Sequence, residues 1–182
     1  EPDPSTTIDD KSVLFLATGA RKLPVTIKAG STQYTINGQS SAVLQTGTTA
    51  GRITLALSMD SPLAADPTVQ YTLAPQSVSI DTSGASRRSG ALDLSFTGYD
   101  NTYSAGQVSF TFYDATGKAL DPITADFRKD FQSYLAVSTT GSAFLMRITF
   151  PVTGDASLIK SVDVQLINKA GKLALPRLTF PD

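Results

Sequence analysis

The stretch LDLSFTGYDNTYSAGQVSFTFYDATGK, Leu92 to Lys118, decides the fold class. Leu92, Leu94 and Phe96 alternate with Asp93, Ser95 and Thr97; further on, Val108, Phe110 and Phe112 alternate with Ser109, Thr111 and Tyr113. A period of two sorts side chains onto opposite faces of an extended chain, so each segment reads as a strand with one buried and one wet face. YDNTYSAG between them is a loop, and Ala115-Thr116-Gly117-Lys118 is a hairpin-type turn.

Toward the C-terminus, AFLMRITF (Ala143 to Phe150) and SVDVQLI (Ser161 to Ile167) are further strands, with a closing segment near Leu173 to Phe180. One segment departs from the β pattern. In FRKDFQSYL, Phe127, Phe131 and Leu135 recur every four residues with Tyr134 beside them, and Asp126 stands at the N-cap position, which predicts a short helix over 127–135. Its apolar stripe is expected to cover the open end of a β-sandwich. Upstream, SVSI (Ser77 to Ile80) is a strand, and DTSGASRRSG (Asp81 to Gly90), which holds Arg87 and Arg88, reads as a polar, turn-rich connection whose arginines lie in an exposed turn or meet an anion.

The first half carries the same signature in shorter pieces. SVLFLA (Ser12 to Ala17), LPVTIK (Leu23 to Lys28) and TQYTI (Thr32 to Ile36) are β-branched and aromatic runs separated by Thr18-Gly19 and Ala29-Gly30. Asn37-Gly38 is the strongest hairpin signal in the chain, with AVLQT (Ala42 to Thr46) as its expected return strand. Ile53, Leu55 and Leu57 alternate with polar or small residues in RITLALS, MDSPLAADP is a loop, TVQYTLA (Thr68 to Ala74) is a strand, and Pro75 marks the joint. AGRITLAL (Ala50 to Leu57) and AGQVSFTF (Ala105 to Phe112) form a short internal echo.

These segments, in a chain of 182 residues, predict an all-β protein of two tandem immunoglobulin-like β-sandwich modules with one short helix in the second. The expected boundaries are an extended lead-in or linker over 1–10, a first sandwich over 11–75 and a second over 76–182. The profile of 41% apolar and 17% charged residues is that of a folded chain. Glu1 is the only glutamate, and the remaining carboxylates are Asp, the acid of turns rather than helices. A net charge of −1 gives no electrostatic footprint for nucleic acid. No run approaches the roughly 18 apolar residues of a membrane span, and EPDPSTTIDD resembles neither a signal nor a transit peptide.

Cysteine and histidine are both absent, which excludes disulfides, thiolate and imidazole metal sites, cysteine nucleophiles and Ser-His-Asp chemistry. The glycines form no nucleotide-binding pattern, and no spacing singles out a pair of carboxylates for glycoside hydrolysis. The expectation is a non-enzymatic protein without a cofactor. Calcium is the one metal whose oxygen ligands the chain offers, at Asp9 with Asp10 and at Asp100 with Asn101. Neither pair resembles a dedicated calcium loop, so these are read as turn-forming residues and no metal site is assigned. Tyr99 and Tyr103 flank the YDNTYSAG loop and are the candidate ligand-binding residues, either as a platform for a glycan or as rings capping the end of the sandwich.

Val13 to Leu57, with the phrases AGSTQ and LQTGTTAGRITL, and the segment FPVTGDASLIKSVDVQLINKAG resemble the tandem immunoglobulin-like or fibronectin-III-like repeats of large secreted and surface proteins of Acidobacteria and related environmental bacteria. The resemblance implies a non-catalytic, secreted or cell-surface module and carries no functional residues across. Modules of that kind have strands upstream of the VLFLATG segment, where this chain has its Pro- and Asp-rich lead-in. The first sandwich is therefore expected to lack strands, which a fragment of a longer protein or a filament subunit would explain. In the second case another copy or a neighbouring module supplies the missing edge by β-strand addition. The leading functional expectation is a structural or adhesive module acting through its strand edges; the alternative is a carbohydrate-binding module using Tyr99 and Tyr103.

Overall fold

Alternating segments become strands in a computed structural model of the protein, which describes residues 9–59, 67–138 and 141–181. The class is all-β, with one α-helix among the described residues. Most of the lead-in (1–8) and of the MDSPLAADP loop (60–66) lies outside them. The chain divides into two units, Glu1–Leu73 and Ala74–Asp182. Among the described residues no helix is long and apolar enough to cross a membrane.

The first unit contains β1 (Val13–Phe15), β2 (Val25–Ile27), β3 (Tyr34–Ile36), β4 (Leu44–Thr46), β5 (Gly51–Ala56) and β6 (Thr68–Leu73). They form three antiparallel pairs, β1 with β4, β2 with β3, and β5 with β6. Asn37 and Gly38 adopt φ of 50° and 78°, the type I′ turn their side chains favour. Ile36 and Gln39 exchange both backbone hydrogen bonds across it, at 2.7 and 3.0 Å. The hairpin then stops, and the return strand expected at Ala42–Thr46 pairs elsewhere. Gln39, Ser40 and Ser41 give Ile36 no apolar continuation, whereas pairing β4 with β1 sets Leu44 opposite Phe15. Among the described residues of this unit, only Thr49 and Ala50 are buried.

The second unit contains β7 (Ser79–Arg88), β8 (Ala91–Tyr99), β9 (Gln107–Asp114), β10 (Ile123–Asp126), α1 (Arg128–Val137), β11 (Ala143–Pro151), a 3-10 turn at Ala156–Leu158, β12 (Ile159–Asn168), β13 (Gly171–Ala174) and β14 (Leu178–Thr179). One sheet runs β11-β8-β7; the other runs β10-β9-β12-β13, with β14 also on β12. Leu92, Leu94 and Phe96 are all but inaccessible, as are Val108, Phe110, Val162, Val164 and Leu166 of the other sheet. The two apolar faces meet where the Phe150 ring stands edge-on to Phe110 at 4.9 Å and to Phe112 at 5.0 Å. Aromatic edges prefer this arrangement because they are positive and ring faces negative.

The helix begins one residue later than expected, with Phe127 rather than Asp126 at the N-cap and no side-chain cap there; Asp126, just before it, accepts the Arg128 amide (3.1 Å) and holds the Arg128 guanidinium. That guanidinium, followed by the amide hydrogen bond, lowers the Asp126 pKa to about 2. Phe131 and Leu135 are buried, and Phe131 meets Phe144 edge-on at 5.0 Å, so the apolar stripe covers the core. Of the Asp81–Gly90 segment, Asp81 to Arg88 is strand rather than connection, and only Ser89 and Gly90 form a turn. Its small polar side chains offer no alternation to read, yet its backbone pairs with β8 along nearly all of β7, as suits an outer strand. Arg87 and Arg88 consequently lie on opposite faces: Arg87 donates to Ile159 O (2.7 Å) and Pro181 O (3.2 Å), while Arg88 pairs with Asp93.

Gly98 faces the register shift between Ile80 and Thr82, where a Cβ would collide with the Ser79 carbonyl oxygen and lie 3.1 Å from the Phe144 ring. Gly98→Ala is expected to cost about 1–3 kcal/mol. Urea unfolding followed by aromatic absorbance checks it.

Candidate functional site

In the first unit, the register of β5 and β6 sets Ile53 opposite Tyr71 and Leu55 opposite Val69, all on one face of the ribbon. That face is largely bare. Val69 is 68%, Tyr71 54% and Leu55 37% exposed. Ile53 and Leu55 line an open cleft of about 210 Å³ whose other apolar wall is Val13, Phe15 and Leu44 of the β1–β4 pair. The β2–β3 ribbon repeats the pattern: Val25, Ile27, Tyr34 and Ile36 share a face, and the first three are exposed. Among the described residues, β5 and β6 pair only with each other, so no third strand covers either outer edge.

Asp9 and Asp10 frame this cleft. Asp9 receives Arg21 in a two-pronged contact at 2.9 Å. Asp10 accepts the amides of Ser12, Thr48 and Thr49 and the Thr49 hydroxyl, all at 2.7–2.9 Å. It thereby ties the start of β1 to the turn leaving β4. Only glycine fits at position 47, where φ is 68° and a Cβ would sit 2.5 Å from the Asp10 carboxylate. Burial pushes the Asp10 pKa up, but the Thr49 hydroxyl and the Thr48, Ser12 and Thr49 amides together outweigh it and hold it below the ordinary value. The sequence marked Asp10 as a turn former; its reach across the chain to Thr48 and Thr49 had no signal beyond the nearby glycine.

The second carboxylate taken from the sequence, Asp100, is fully buried. Its Oδ1 accepts the Thr102 amide and hydroxyl and the Asn168 side-chain amide (3.1, 2.7 and 2.8 Å). Its Oδ2 accepts the Ser104 and Ala105 amides (2.8 and 2.7 Å). Since the Thr102 hydrogen is committed to Asp100, the Ser104 hydroxyl must donate to Thr102 Oγ1 across 2.6 Å. Asn101 accepts from Gln76 N and donates to Ala74 O, both at 2.9 Å. Carboxylate and amide are thus occupied in closing the loop. At the entry to the two echoed strands Asp10 and Asp100 play parallel parts, each receiving two consecutive amides, of Thr48 and Thr49 and of Ser104 and Ala105.

The loop positions the two candidate tyrosines differently. Tyr99 is half-buried at the end of β8, while Tyr103 is 4% exposed with φ of 51°. The conformation that lets the Ser104 and Ala105 amides reach Asp100 turns Tyr103 into the protein, so its ring offers no face to a sugar. A paired tyrosine platform is therefore not assembled. No protein-family model matches the chain, and no curated protein matches it.

Two substitutions test these hubs. Asp10→Ala is expected to destabilise the first unit by about 1–3 kcal/mol. Because the folded pKa of Asp10 is lowered, its stabilising contribution is complete above the unfolded value of about 3.9 and fades as pH falls through the folded value. NMR-detected unfolding of the Thr48 and Thr49 amides across that range should show the acid-side loss in the wild type and a flat profile in the variant. Asp100→Asn replaces an acceptor with a donor facing buried donors, and a loss of roughly 3 kcal/mol or more in the second unit is expected by urea denaturation.

Proposed function

We propose that the chain is a non-catalytic structural or adhesive module of a bacterial surface protein, secreted or cell-surface, organised as two tandem immunoglobulin-like β-sandwich modules of the fibronectin-III-like type. Its working surfaces are the strand edges of the first module, and it polymerises into a filament by β-strand addition from another copy or a neighbouring module.

The observation that carries this reading is the exposed apolar face of the β5–β6 ribbon over an open cleft, with Val69 and Tyr71 more than half exposed. Each such side chain gains about 1.5–3 kcal/mol on full burial. A strand added beside β6 pairs its outer edge and sets its own side chains against Val69 and Tyr71 on the same face. A second copy suits the role, because a net charge of −1 gives little self-repulsion and the β2–β3 ribbon presents a second exposed apolar face. Contact between two different faces of one chain is head-to-tail and need not close, which is the geometry of a filament.

Light scattering coupled to size exclusion, from dilute to concentrated solution, tests this. Masses rising in multiples of 19.2 kDa are expected, with the double variant Val69→Lys, Tyr71→Lys remaining at that mass. A wild-type chain that stays at 19.2 kDa throughout would sink the assembly reading.

A further inference from the structure

The outer face of the β11-β8-β7 sheet is a shallow, open trough of about 490 Å³. Registers on both sides of β8 arrange its side chains in rows. Leu145, Thr97 and Thr82 form one, Arg147, Ser95 and Gly84 the next, and Thr149, Asp93 and Ser86 the third. In the outer rows the threonines and Asp93 are already paired. Thr82 and Thr97 share a hydrogen bond at 2.5 Å, and Asp93 is held by Arg88 at 2.6 Å and by the Thr149 hydroxyl.

The middle row is different. Among the described residues, neither the Arg147 guanidinium nor the Ser95 hydroxyl has a hydrogen-bond or ion-pair partner, and Gly84 leaves the third position empty. A Cβ at Gly84 would lie 3.1 Å from Ser95 Oγ, so any larger side chain there narrows the trough. Two guanidinium groups, Arg88 and Arg147, stand against one carboxylate, Asp93, leaving the face with an excess positive charge. Leu145, 47% exposed, borders Arg147 on its own strand.

We infer that this trough binds an acidic polysaccharide, with a uronate carboxylate seated on the Arg147 guanidinium. A planar guanidinium fork matches a planar carboxylate through two parallel N–H···O bonds, which an ammonium cannot reproduce. Sugar hydroxyls then find Ser95 and Ser86, and the C–H face of the ring lies on Leu145. The trough belongs entirely to the second unit and requires nothing of the strand edges in the first, so the two readings succeed or fail separately.

Affinity electrophoresis and calorimetry with polygalacturonate, dextran sulfate and neutral dextran test it on the full chain, with circular dichroism confirming that each variant is folded. Polygalacturonate is expected to bind and neutral dextran not. Arg147→Ala and Gly84→Val should each weaken binding by about tenfold or more, Arg147→Lys should restore it only in part, and the distant Lys118→Ala should leave it unchanged. Absence of polygalacturonate binding, retention of dextran sulfate alone, or equal binding by wild type and Arg147→Ala would overturn the proposal.

Discussion

A carboxylate with no access to water organises the second unit. Burying Asp100 is tolerable only because five donors converge on it, four from its own loop and one, the Asn168 side chain, from far along the chain. Three residues of its own loop are wrapped around it, which forces Tyr103 into the left-handed region. Asn168, at the end of β12, joins it to the β13 hairpin by also donating to Gln76 O and accepting the Ala170 and Gly171 amides. Asn101 extends the same network to Ala74. One end of both sheets is thus fixed by a polar cluster, while the phenylalanines fix the interior. Neither substitutes for the other: apolar burial supplies the driving force, and the cluster selects a single arrangement of the loops.

The first unit uses the same device without the same interior. Asp10 fastens the β4–β5 turn to the start of β1, yet the strands it aligns bury almost nothing. Ile53, Leu55, Val69 and Tyr71 are patterned for a core, yet Ile53 and Leu55 line an open cleft and Val69 and Tyr71 are exposed. A ribbon of two strands is marginal alone in water, and a third strand with a covered face is the usual remedy. This imbalance between patterning and burial underlies the structural or adhesive role proposed for the chain.

Alternation made most of the strands legible, because apolar side chains every second residue are a direct record of which face is buried. Leu92 to Phe96 and Val108 to Phe112 are buried as their spacing requires, and the four-residue spacing of Phe131 and Leu135 marked the helix. The Asp81–Arg88 strand escaped notice for the converse reason: an outer strand carrying Thr, Ser and Gly is held by its backbone, which leaves no pattern in the side chains. The β4 pairing was equally hidden, since a hairpin signal reports the turn and not how far the strands continue beyond it. Local chemistry identified YDNTYSAG as a loop, but the burial of Asp100 and Tyr103 depends on Asn168 and its neighbours, far along the chain. The Arg147 row likewise exists only once three strands are in register.

In the proposed assembly the second unit is complete in itself and the first is completed by another copy. Native-state hydrogen exchange at low and high protein concentration tests it most directly. Slow exchange is expected in β8, β9 and β12 at any concentration, and fast exchange in β5 and β6 that slows only as the protein is concentrated. Equal and concentration-independent protection of β5 and β6 would contradict it.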